Sequence, residues 1–216
     1  MPSNAFRKFE RNMLVDVDRI VEAHGNLNHN GRGRRGLGHI TRGGVLMLCA
    51  AWELYVEEVI REGVQFFVAS VDLPNALPKD VQKELSRAVK ESKHDLKPLE
   101  LAGEGWKNLY RNHAQETLTR LNTPKSGNLD SLFKRFLGVP SISATWTKGA
   151  QTINDFVGVR GDIAHRGRDA HYVKIGKLSE YKDVISSAAI DTDNYLSEFL
   201  RDSTPGGARP WNRRQA

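Results

Sequence analysis

The sequence predicts an all-α protein: a bundle of four long helices, with shorter helices inserted between the second and the third. Three observations predict it. Apolar residues recur at spacings of three and four through most of the chain, which is the period of one helix face. No run alternates polar and apolar residues as a half-buried strand would. Clusters of Pro, Gly and Asn at residues 73–78, 122–127 and 138–140 fall between the periodic runs, where helices must stop.

The elements follow in order. Residues 4–24 form the first expected helix, with Phe6, Phe9, Met13, Val17, Ile20 and Val21 on one face. Asn4 is its candidate N-cap and Gly25 its stop. Residues 25–39 form a basic, glycine-rich loop. Its Arg32, Arg34 and Arg35 suit phosphate oxygens, and a solvated connection is the plainer reading. It is not a P-loop, because the Gly-Lys-Ser/Thr ending is absent. Residues 40–70 form the longest pattern. From Val45 to Trp52 it is apolar on every side, which predicts a helix in the middle of the bundle. Glu53 interrupts that run. Its carboxylate is expected to be partly buried, and it then needs a partner or a proton.

Residues 72–144 read as a helical insertion. It holds a polar helix at 79–92, a loop at 93–105, a helix at 106–121, and a short helix capped by Ser126 or Asn128. Trp106 and Tyr110 are read as core, with a base-stacking platform as the alternative. Residues 145–166 are the next main helix, with Thr145 as its cap and Trp146, Ile153, Phe156, Val157 and Val159 as its buried side. Residues 172–175 are read as an extended stretch, and 178–202 as the last helix. The domain therefore spans residues 1–202. Residues 203–216, basic and rich in Pro and Gly, are expected to be a disordered tail.

Composition narrows the function. The chain has 216 residues, a net charge of +6 and a pI of about 9.5, which favours an anionic partner such as nucleic acid. Its single cysteine, Cys49, excludes an internal disulfide and thiol-rich metal sites, and it reads as a small core residue. His24, His29 and His39 lack a carboxylate at a useful spacing, so no metal site and no cofactor are expected. No apolar run is long enough to span a bilayer, and the polar start carries no signal-peptide pattern. A soluble cytoplasmic protein without membrane contact is expected.

Residues 157–167 concentrate the chemistry. Arg160 is followed five positions later by His165, with Asp162 between them and Arg166 after. Histidine can take a proton at neutral pH, and arginine fits two phosphate oxygens. Together they suffice for attack of an RNA 2′-OH on the adjacent phosphorus, with Arg160 stabilising the charge that develops. Helix geometry opposes this, because five residues turn about 140°. Arg160 and His165 share a face only if the helix loosens, and Gly158, Gly161 and Gly167 allow for that. Asp162 is spaced to hold either His165 or Arg166. The plain alternative is an ion-paired helix end.

The segment resembles the Arg-(four to six residues)-His signature of HEPN-domain proteins through Arg160, Ile163, Ala164 and His165, with Phe156, Val157 and Val159 as the apolar approach. Residues 50–57, containing Trp52, Glu53 and Tyr55, look like the second-helix pattern of the RiboL-PSP and MAE-type HEPN families. The resemblance implies a helical bundle that dimerises around the motif helices. It also implies metal-independent endoribonuclease activity, often in a toxin or phage-defence role, with an antitoxin or defence protein as a possible partner. By position, Arg160 and His165 would be catalytic, Glu53 would orient Arg160, and Asp162 would assist. Arg166 and Arg168, with the loop arginines, would bind RNA. The alternative is a HEPN module that binds RNA or a partner protein without cleaving. Two departures stand out. Gly161 replaces the usual polar residue, often Asn, after the arginine. Gly167 replaces the tyrosine that a small-toxin subgroup carries two positions after the histidine.

Overall fold

The computed structural model describes residues 1–27 and 36–214, so Arg32, Arg34 and Arg35 lie outside the described residues. The described chain is all-α, without a strand. A continuous rod opens it: α1 (Asn4–Lys8), a π-helical stretch (Phe9–Met13) and α2 (Leu14–Leu27). Ser3, not Asn4, caps this rod. Its hydroxyl accepts from the Phe6 N–H at 2.9 Å, while the Asn4 N–H donates to Glu62 at 3.0 Å. The rod also runs through Gly25 rather than stopping there.

The central helix is α3 (Gly38–Ser70). Trp52 and Tyr55 are fully buried and stacked at 5.7 Å. Phe9 packs on Tyr55 at 5.2 Å, Trp146 meets Trp52 edge-on, and the Tyr55 hydroxyl donates to the Ala189 carbonyl at 2.9 Å. One helix thus anchors the first rod, the loop before α7, and α8. The expectation that α3 is covered all round fails in one strip. Leu46, Met47, Ala50 and Leu54 are exposed.

After α3, Leu73 and Pro74 turn the chain into α4 (Lys79–Lys90), α5 (Gly105–Leu118) and α6 (Ser126–Leu137). A 3-10 turn at Lys97–Leu101 breaks the expected loop before α5. Trp106 and Tyr110 are buried core, so they are not a stacking platform. Neither Ser126 nor Asn128 caps α6. Asn154 accepts from the Ser126 N–H at 2.9 Å instead, a partner no local pattern supplies. At its other end, Gly138 has φ 78° and the Val139 N–H reaches back to the Phe133 carbonyl. A Cβ on Gly138 would meet Pro78 at 2.4 Å, so both backbone and packing require glycine there.

α7 (Ala150–Arg166) starts later than expected, after Gly149 and without a side-chain cap. Trp146 is buried from the preceding loop and donates to Thr192 at 2.9 Å. Residues 172–175 form no strand, and α8 (Ile175–Asp202) begins at the end of that stretch. The tail differs most from expectation, since within residues 203–214 Thr204 and Trp211 are buried against the bundle. The Trp211 indole is buried and donates to the Asp193 carbonyl at 3.0 Å, and the Asn212 N–H donates to the Met1 carbonyl at 2.9 Å. Composition suggested disorder, but one buried tryptophan and a ring of backbone hydrogen bonds override it.

Candidate functional site

α3 and α7 pack together, and the contact brings Glu53 and Arg160 face to face although they are 107 residues apart. An Arg160 Nη donates to Glu53 Oε1 at 3.2 Å, and the other Nη donates to the Asn122 carbonyl at 3.2 Å. The glutamate side chain is 16% exposed and the arginine 27%. Burial pushes the Glu53 carboxyl above its ordinary value, and Arg160 only partly offsets this. Beneath them, burial pushes the Cys49 thiol up to about 12, with the Glu53 charge adding to the rise. Cys49 is therefore a protonated core residue beside the site.

The other residues of the motif point elsewhere. α7 remains a regular α-helix through Arg166, so the loosening that would align Arg160 with His165 is absent. His165 is exposed, and its ring has no partner among the described residues. Asp162 takes Arg166 at 3.1 Å and caps the next segment by accepting the His171 N–H at 3.1 Å, so it holds Arg166 rather than His165. Arg166 and Arg168 are exposed at the end of the helix. Gly161 faces open space: a Cβ there would meet nothing within 4 Å. Asp162, already occupied, does not stand in for the polar residue that Gly161 replaces.

Two features escaped the sequence. Asn122, in the loop before α6, supplies the second hold on Arg160 through its backbone, and a carbonyl contact leaves no side-chain signal. A buried node forms around Glu84, with Arg87 and Arg135 at 2.7 Å and the His113 ring nitrogen at 2.7 Å. His113, read as a surface residue from sequence, is half-buried there against the Phe136 ring. The only signal was the amphipathic spacing of α4, which places Val81, Glu84 and Leu85 on its buried side.

Among the described residues, no three His, Cys, Asp or Glu side chains cluster as metal ligands would, and no helix is long and apolar enough to cross a membrane. Compared with protein families, the chain matches the model of RiboL-PSP-HEPN over residues 12–198, and it belongs to that family. Membership points to a ribonuclease-like or otherwise RNA-related function. Comparisons with curated proteins and with solved structures return no significant match.

Proposed function

We propose that this protein is a metal-independent endoribonuclease that cleaves RNA through attack of the 2′-OH, leaving 2′,3′-cyclic phosphate and 5′-OH ends. The observation that carries the reading is the Glu53–Arg160 pair. A half-buried arginine held by one carboxylate and one carbonyl keeps donors in a fixed position for a phosphate. Arg160 stabilises the pentacovalent phosphorane, Glu53 positions Arg160, and His165 takes the 2′-OH proton; as the P–O5′ bond breaks, the departing 5′-oxygen takes a proton from solvent. Arg166 and Arg168 bind flanking phosphates. The family resemblance suggests the setting: a toxin or anti-phage effector, restrained by an antitoxin or a defence partner.

The reaction needs His165 and Arg160 on one cleft, and a single regular helix does not provide that. A homodimer through the motif helices does, because it lines one cleft from two chains. Its support is the exposed strip Leu46, Met47, Ala50 and Leu54 on α3, together with Gly158, Gly161 and Ala164 on α7. No Cβ at Gly158 or Gly161 would meet anything within 4 Å, so a second helix can approach closely there.

The test is end-group analysis of RNA incubated with the protein and a metal chelator. Cyclic phosphate ends that vanish in His165→Ala are expected. Uncleaved RNA that still binds would favour the second reading, a non-catalytic RNA-binding module. The unpartnered, outward-facing His165 is the observation behind that second reading.

A further inference from the structure

A cleft formed by the inserted helices lies beside the Glu53–Arg160 pair. It has a volume of about 230 Å³ and is lined by Thr117, Arg120, Asn122, Thr123, Ser131 and Arg135, among others. It holds two arginines and no carboxylate, whereas the cleft between α7 and α8 carries Asp155, Glu180 and Asp183. Arg135 is fixed in place by Glu84 at 2.7 Å. Arg120 is exposed and has no partner among the described residues, although Arg87, Arg111 and Arg135 nearby are all engaged. One fixed and one free guanidinium, flanked by hydroxyls and an amide, match phosphate oxygens and sugar hydroxyls.

The loop that floors the cleft is also the loop that holds Arg160. Asn128 donates to the Thr123 carbonyl at 2.8 Å and the Thr123 hydroxyl to Asn122 at 3.1 Å, which braces the loop from within. Its Asn122 carbonyl accepts from Arg160, and its Pro124 carbonyl accepts from the Trp52 indole at 3.4 Å. The cleft and the arginine therefore keep a fixed separation.

We infer that this cleft is a subsite for a backbone phosphate of single-stranded RNA flanking the bond to be cut. The inference rests on the ribonuclease reading for the position of that bond. Arg120 makes the phosphate contact, and Thr117, Thr123 and Ser131 meet the adjoining sugar. The subsite sets affinity and register and takes no part in the proton transfers.

The test uses full-length His165→Ala protein and a labelled single-stranded RNA, followed by fluorescence anisotropy across a salt series. Arg120→Ala in that background should weaken binding about fivefold to tenfold and lower the salt slope by about one phosphate contact. Lys83→Ala, on the far side of α4, should leave both unchanged. In the cleaving protein, Arg120→Ala should raise KM, because it removes a contact present before and during the reaction. Arg120 is exposed and unpaired, so its loss should leave the melting curve intact. Affinity and salt slope that ignore Arg120 overturn the subsite, even if RNA is cleaved. Arg120-dependent binding by a protein that leaves RNA whole keeps the subsite and overturns the ribonuclease reading instead.

Discussion

Glu53 and Glu84 both face arginines, but they are held in opposite ways. Glu84 on α4 is 5% exposed and meets Arg87, Arg135 and His113. Burial alone would raise its carboxyl, but the hydrogen bonds from His113, Arg135 and Arg87 together hold it well below the ordinary carboxylate range. Glu53 on α3 meets a single arginine, and burial leaves its carboxyl above the ordinary value. The Glu84 node is saturated, which suits a fastener between α4, α5 and α6. The Glu53 pair is under-supplied, and its arginine keeps donor capacity for something that is not protein. Charge pairs of similar composition can thus serve stability in one place and leave room for chemistry in another.

That contrast can be broken by experiment. The largest expected effect is Arg160→Ala, which should slow RNA cleavage at least about 100-fold, with circular dichroism used to check that the variant, whose Glu53 is left without its ion-pair partner, stays folded. A normal rate would reduce the pair to a structural contact. Next is Glu84→Gln, which strands two guanidiniums and should cost about 2–3 kcal/mol of stability, read by urea denaturation. The sign with pH follows from its lowered carboxyl. The node's stabilisation is present in full above the ordinary value of 4.5 and is lost as acid protonates it well below, so the variant should lose that acid limb.

Asp193 runs the other way. It is 1% exposed, one of its oxygens has no partner among the described residues, and burial raises its carboxyl to about 6 from an ordinary value of 3.8. Its stabilisation is present below the ordinary value and is lost as pH rises through about 6. Wild-type protein should thus lose up to about 3 kcal/mol from this group between pH 4 and pH 7.5, and Asp193→Asn should flatten that slope. An unchanged slope would show that the carboxylate finds water in solution.

Smaller still is Glu53→Gln. Because the Glu53 carboxyl is raised, its ionised form adds little stability at neutral pH, so the variant should stay within about 1 kcal/mol of wild type. Cleavage should nevertheless fall about tenfold as Arg160 loses its anchor. A stability loss matching that of Glu84→Gln would erase the distinction between the two sites. The smallest effect is at Cys49, where the buried thiol at about 12 should resist alkylation in folded protein and react only after denaturation.

Some of this is legible in the order of residues alone. The period of apolar residues marks the helices, because a helix must turn one face to the core whatever surrounds it. A glutamate inside an apolar run has to find a partner, because a lone buried carboxylate is costly, and Arg160 is where it finds one. Helix ends are less legible. Ser3 and Asn154 serve the starts of α1 and α6 in place of Asn4 and Ser126, α7 has no side-chain cap at Thr145, and the Asn154 hydrogen bond crosses 28 residues. The tail misleads for the same reason, since Trp211 is an isolated aromatic in a basic stretch until α8 and the N-terminus close over it.

By itself, then, the sequence determined the all-α class, the central position of α3, and the need of Glu53 for a partner or a proton. Those follow from local period and from the cost of burying charge. Tertiary structure alone decided that Asn122 completes the hold on Arg160 and that three donors converge on Glu84. Each depends on where separate segments meet in space. A backbone carbonyl and a side chain arriving from a distant segment carry no signature in a linear string of residues.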